Sequence, residues 1–86
     1  MPVRVICFDQ EGCMGCEEQA SINREVSKNL NITIEVVDVV KNLHYVHDYG
    51  LRVTPTIVIL QDEGVLERFE GVVQIEELEA AIKEYL

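Results

Sequence analysis

The stretch Val3-Arg4-Val5-Ile6-Cys7-Phe8-Asp9-Gln10-Glu11-Gly12-Cys13-Met14-Gly15-Cys16 sets the frame for the rest of the chain. Val3 to Phe8 is apolar and rich in β-branched residues. It is bounded by Pro2 and by the polar run Asp9-Gln10-Glu11-Gly12, a pattern that predicts a buried strand and then a loop. From Met14 to Leu30 the period becomes helical. Ile22, Val26 and Leu30 recur at four-residue spacing, with Cys16 and Ala20 in a neighbouring row. Glu17, Glu18, Arg24, Glu25 and Lys28 supply the polar face, and Glu17 and Glu18 fall where a helix dipole favours negative charge.

Downstream, Asn31 breaks the helical pattern. Ile32 to Val40 starts with Ile32, Ile34 and Val36 alternating against Thr33 and Glu35, which predicts a second strand. Asn42 to Tyr49 reads as a short helix ended by Gly50. Thr56 to Leu60 is a β-branched run, Asp62-Glu63-Gly64 a turn, and Val65 to Glu70 the returning strand of a hairpin. Ile75, Leu78, Ile82 and Leu86 share one helical face, with Glu79 and Lys83 paired across a turn. The order β-α-β-α-β-β-α predicts an α/β fold. A parallel βαβ unit, a hairpin and a covering helix together make a four-stranded mixed sheet with helices on both faces. With 86 residues and no linker or repeat, residues 1–86 are expected to form a single domain.

Composition narrows the function. A net charge of −9 is repelled by nucleic-acid phosphates and anionic membranes, so neither is an expected partner. No apolar run approaches a membrane span, and the N-terminus does not read as a secretory signal, so the expected location is the cytoplasm. Three cysteines are an odd number, which disfavours a structural disulfide framework.

Cys13-Met14-Gly15-Cys16 is a C-x-x-C between a strand and a helix. Cysteines three apart at a helix start approach closely enough for a disulfide. The first lies beside the unpaired N–H groups of the first turn, which stabilise a thiolate, the attacking species in disulfide exchange. Cys13 is therefore the expected nucleophile and Cys16 the more buried, resolving thiol. Glu11, Glu17 and Glu18 act in the opposite sense, because nearby carboxylates disfavour a second negative charge. A lone C-x-x-C is also half of a zinc or iron–sulfur site, for which Cys7, His44 and His47 are the only plausible additions. The strand–motif–helix context favours redox chemistry. The expectation is thus no bound metal at Cys13 and Cys16, with a metal-binding or partner-docking module using Cys7, Cys13 and Cys16 as the alternative.

A second anchor is Thr54-Pro55-Thr56, where proline marks a strand entry, a turn or a cis bond. The stretch from Tyr49 to Leu60 resembles the cis-proline segment of thioredoxins. The succession of Gly64, a strand, Gly71 and a closing amphipathic helix resembles the C-terminal part of the same family. Together with the C-x-x-C, the resemblance covers essentially the whole chain, as a trimmed, glutaredoxin-sized thioredoxin fold. It implies that Pro55 is cis and packs against Cys13 and Cys16, and that the backbone of Thr54 pairs with an extended substrate segment. It also implies an enzyme: a thiol–disulfide oxidoreductase that reduces protein disulfides, is restored by a separate disulfide reductase and works as a monomer. No bound cofactor is expected, because a Gly-rich dinucleotide fingerprint is missing.

The chain departs from the family pattern at several points. Gly12 replaces the usual Trp, Met14-Gly15 the usual Gly-Pro, and Cys7 the Asp beneath the motif. A glutathione-binding basic residue beside the motif and the glutaredoxin Gly-Gly are both missing. Cys7 itself is expected to be a small core residue. Surface roles are expected for His44 and His47, and packing roles for Tyr45 and Tyr49.

Overall fold

The structure, a computed structural model, describes residues 2–86; Met1, the first residue of the expected domain, lies outside the described residues. The elements are β1 (Val3–Asp9), α1 (Met14–Leu30), β2 (Ile34–Asp38), α2 (His44–Tyr49), β3 (Thr56–Gln61), β4 (Gly64–Glu70) and α3 (Ile75–Lys83). They build a four-stranded sheet in the order β2-β1-β3-β4. β1 runs parallel to β2 and antiparallel to β3, and β3 and β4 form the hairpin. The α/β mixed sheet expected from the sequence is therefore the fold observed.

Alternation along the two central strands sends side chains to opposite layers. Val5, Cys7, Ile57 and Ile59 join Ile22 and Val26 of α1 and Leu78 and Ile82 of α3 on one face. Ile6, Phe8, Val58 and Leu60 form the other layer, covered by Tyr45 and Tyr49 of α2. Phe8 holds both tyrosines, with ring centroids 5.4 and 5.3 Å away. Arg68 of β4 donates to the carbonyls of Tyr49 and Gly50 and so closes the C-terminal end of α2.

The first two helices end as the sequence indicates. Asn31 takes a left-handed conformation with φ 53°, and its N–H caps α1 at Ser27. Gly50, at φ 59°, ends α2. Boundaries shift elsewhere. β2 is shorter than Ile32–Val40 because Asp38 Oδ1 accepts the N–H groups of Val40 and Lys41, which turns the chain. α2 starts at His44 rather than Asn42, and α3 ends at Lys83, which leaves Leu86 67% exposed. Glu79 turns to Asn29, whose Nδ2 donates to it at 2.8 Å, instead of to Lys83.

Two side-chain placements also differ from the sequence pattern. Val36 is 62% exposed, because β2 is an edge strand and Val36 opens onto a groove lined from α1 by Ala20, Asn23, Arg24 and Ser27. Ala20 is exposed, while Gln19 and Asn23 are buried. α1 packs against α3 as well as the sheet, so its buried stripe rotates toward the segment leading into α3.

Candidate functional site

Gly12, at φ +73°, turns the chain out of β1 and into α1. Cys13 comes next as the N-cap in an extended conformation, and its Sγ accepts the N–H of Cys16 at 3.1 Å. A sulfur thus occupies the place where an oxygen normally satisfies a free donor of the first turn. Cys13 and Cys16 are joined as a disulfide with their Cα atoms 5.2 Å apart. Cys13 is half-buried, whereas Cys16 is buried.

Across from them, the Thr54–Pro55 peptide is cis. The carbonyl oxygen and the hydroxyl of Thr54 each lie 3.5 Å from Cys13 Sγ. Gly15 allows the close approach on the other side. A Cβ there would stand 3.2 Å from Pro55 Cδ and 3.3 Å from Val72 Cγ2. Gly71, at φ +85°, donates its N–H to the Pro55 carbonyl at 2.8 Å, which draws the end of β4 alongside the proline. The fold therefore brings Cys13, Cys16, Thr54 and Pro55 together from two segments remote in sequence, with Val72 closing the third side.

An open groove of about 330 Å³ is lined by Cys13 and Cys16 together with Asp9, Gln10, Glu11, Glu17 and Asp38, among others. Burial, and then the neighbouring Asp38, holds the Asp9 carboxyl above the usual carboxylate range.

Cys7 does not line this groove. It sits in the layer beneath α1 and α3, 3% exposed, where burial pushes its thiol up to about 11 despite a hydrogen bond with Asn23. The rings of His44 and Tyr45 are tilted against each other with centroids 4.1 Å apart, and His47 lies 3.8 Å from Asp48 on the surface of α2. Among the described residues, no cluster of three or more His, Cys, Asp or Glu is arranged to hold a metal.

Two glutamines carry no motif in the sequence and yet support the site. Gln10 Nε2 donates to Thr54 Oγ1 at 2.9 Å, and Gln19 is fully buried against Val73. The one sequence cue for Gln19 is its place three residues before Ile22, on the row of Ile22, Val26 and Leu30.

No helix among the described residues is long and apolar enough to cross a membrane. The thioredoxin family model matches residues 2–84. No curated protein matches the chain by sequence. Among solved structures, a thioredoxin-2 from the malaria parasite, described as a component of its protein secretion machinery, superposes with a TM-score of 0.90 at 27% identity, over 96% of this chain and 82% of that one. A second malarial protein gives 0.87 at 27% identity, over 100% of this chain and 99% of that one. Thioredoxin 1 of the thermophilic eubacterium Thermosipho africanus gives 0.81 at 29% identity, over 95% and 92%. A cysteine pair at disulfide distance opening the first helix, a cis proline facing it and a family match over nearly the whole length lead to one conclusion: this chain belongs to the thioredoxin family of thiol–disulfide oxidoreductases.

Proposed function

We propose that the protein is a small electron carrier that reduces protein disulfides, with Cys13 as nucleophile and Cys16 as resolving thiol. One observation carries the reading: a half-buried Cys13 sulfur held by a first-turn N–H, with Cys16 buried directly behind it. A free donor at a helix N-terminus stabilises negative charge, and the more accessible thiolate attacks first.

In this reading the Cys13 thiolate attacks one sulfur of a substrate disulfide. A mixed disulfide forms and the other substrate sulfur leaves as a thiolate. Cys16, on losing its proton, attacks Cys13 Sγ. The Cys13–Cys16 disulfide forms, and the second substrate thiolate leaves with the electron pair. Two electrons have then passed to the substrate. A separate reductase returns the dithiol, and any nicotinamide or flavin belongs to that partner. Thr54 and Pro55 are the substrate-binding residues. The Thr54 carbonyl, 3.5 Å from Cys13 Sγ, flanks the path of any chain bonded to that sulfur. The reading includes a monomeric single domain at work in a reducing compartment such as the cytoplasm.

The test is reduction of insulin disulfides by the protein under a dithiol reductant, together with redox titration of the metal-free protein read by alkylation and mass spectrometry. A two-electron Cys13–Cys16 couple at roughly −200 to −300 mV is expected, the range of dithiol carriers. Cys13→Ser removes activity, Cys16→Ser traps the mixed disulfide and Cys7→Ser leaves turnover in place. If no Cys13–Cys16 couple forms, the carrier mechanism fails.

A further inference from the structure

We propose that Gln10 is a positioning residue for the Cys13 thiol and acts through the hydroxyl of Thr54. The proposal rests on the reading of Cys13 as the attacking thiol and adds a residue that acts on the sulfur through Thr54.

The geometry, seen with Cys13 in its disulfide with Cys16, is a relay of two contacts. Gln10 Nε2 donates to Thr54 Oγ1 at 2.9 Å, and Thr54 Oγ1 lies 3.5 Å from Cys13 Sγ in donor geometry. A threonine hydroxyl carries one proton and two lone pairs. Once its oxygen accepts the amide N–H, its own proton is free to point at the sulfur. Cys13 Sγ already accepts the Cys16 N–H at 3.1 Å, so the hydroxyl supplies a second donor. Donors to the charged form favour that form.

The Thr54 carbonyl lies equally close to the sulfur, also at 3.5 Å. It serves as acceptor for a protonated thiol, while the hydroxyl serves as donor to a thiolate. Which of the two the site favours depends on where the hydroxyl proton points, and Gln10 is the side chain that settles this.

Residue type matters here for a chemical reason. Asp9 and Glu11 flank Gln10 in sequence, and both bear carboxyl groups. A carboxylate in place of the Gln10 amide has no proton to give. It would accept the Thr54 hydroxyl proton, turn it away from sulfur and add a negative charge beside a developing thiolate. The neutral amide donates and adds no charge.

The experiment compares the full chain with Gln10→Ala, Gln10→Glu, Thr54→Val and the double variant Gln10→Ala/Thr54→Val. Each is reduced, and the pH dependence of Cys13 alkylation by iodoacetamide is followed site by site with mass spectrometry. Gln10 is exposed, and thermal unfolding confirms that each variant folds. Gln10→Ala is expected to slow alkylation near neutral pH by about threefold, as fits loss of one indirect hydrogen bond, and to move the profile to higher pH. Gln10→Glu is expected to move it further. In the Thr54→Val background, Gln10→Ala is expected to add nothing. The proposal is overturned if Gln10→Ala leaves the profile unchanged, if its effect persists without the Thr54 hydroxyl, or if Gln10→Glu only equals Gln10→Ala. Iodoacetamide reads the thiolate and not turnover. A wild type with a titrating Cys13 but no insulin reduction therefore sinks the carrier reading and leaves this test standing.

Discussion

The side chain of Gln19 pairs with both main-chain polar groups of Val73: its Nε2 donates to the Val73 carbonyl at 3.2 Å, and the Val73 N–H donates to its Oε1 at 2.8 Å. The same Nε2 donates to Asn23 Oδ1 at 3.0 Å. One buried amide thus fastens the segment between β4 and α3 onto α1. The neighbouring Val72 is thereby held against Gly15, between the two cysteines.

Gln19→Leu keeps the volume and removes the hydrogen bonds. Buried N–H and C=O groups left unpaired cost on the order of 1–3 kcal/mol each. A loss of roughly 3 kcal/mol is expected in urea unfolding, with hydrogen exchange at Val73 rising well before that within α3. Unchanged exchange at Val73 would show that the segment is held by other contacts.

Gly15→Ala sets two effects against each other. Alanine favours a helix over glycine by about 1 kcal/mol. The new Cβ, however, meets Pro55 Cδ at 3.2 Å and Val72 Cγ2 at 3.3 Å. The proline ring is rigid, and Val72 precedes a residue pinned by Gln19, so neither gives way freely. Crowding costs of about 1–3 kcal/mol outweigh the helix gain. Net destabilisation of about 1 kcal/mol is expected; an increase in the urea midpoint would mean the loop yields.

Burial holds the Cys7 thiol near 11, so it stays protonated at neutral pH. After reduction of the native protein at pH 8, iodoacetamide should label Cys13 and spare Cys7 until the chain unfolds. A thiol whose pKa is raised on folding contributes fully below the unfolded value and loses that contribution as pH rises toward 11. Stability should fall between about pH 9 and 11 by roughly 2 kcal/mol, and Cys7→Ala should flatten that decline.

Asp9 is raised by burial and then by Asp38. Its favourable contribution is present in full below the unfolded carboxyl value, about 3.9, and is lost as pH rises through the folded value. Asp9→Asn should therefore raise stability at pH 7 and leave it unchanged at pH 3, as read by thermal melts at the two pH values. Equal gains at both would assign the effect to packing.

Arg4 donates to Glu35 through two bonds of 2.9 and 2.7 Å and joins β1 to the edge strand β2, but both partners are substantially exposed. Arg4→Ala is expected to lower the melting temperature only slightly, and less still in high salt. Melts at two ionic strengths separate this from lost packing.

Much of the molecule was legible in local pattern. The helix Met14–Leu30 has the same bounds in sequence and structure, because its period is long and Asn31 stops it. The strand–loop–C-x-x-C–helix order placed Cys13 at a helix cap, whereas local pattern marked Thr54-Pro55 only as a strand entry, a turn or a cis bond, and its place opposite the cysteines came from the resemblance to thioredoxins. Less visible were the residues whose role depends on neighbours remote in the chain. Gln10 and Thr54 are 44 positions apart, and Gln19 and Val73 are 54 apart.

The sequence alone determined the order of elements, the two core layers of the central strands and the location of the cysteine pair, because hydrophobic period and turn residues act within a few positions. Only the tertiary structure decided that α1 turns Gln19 and Asn23 inward in place of Ala20, that the edge position leaves Val36 uncovered, and that Thr54 meets Cys13. Each of these depends on which faces meet when α1, α3 and the sheet close on one another, and no local period encodes the angle at which they do.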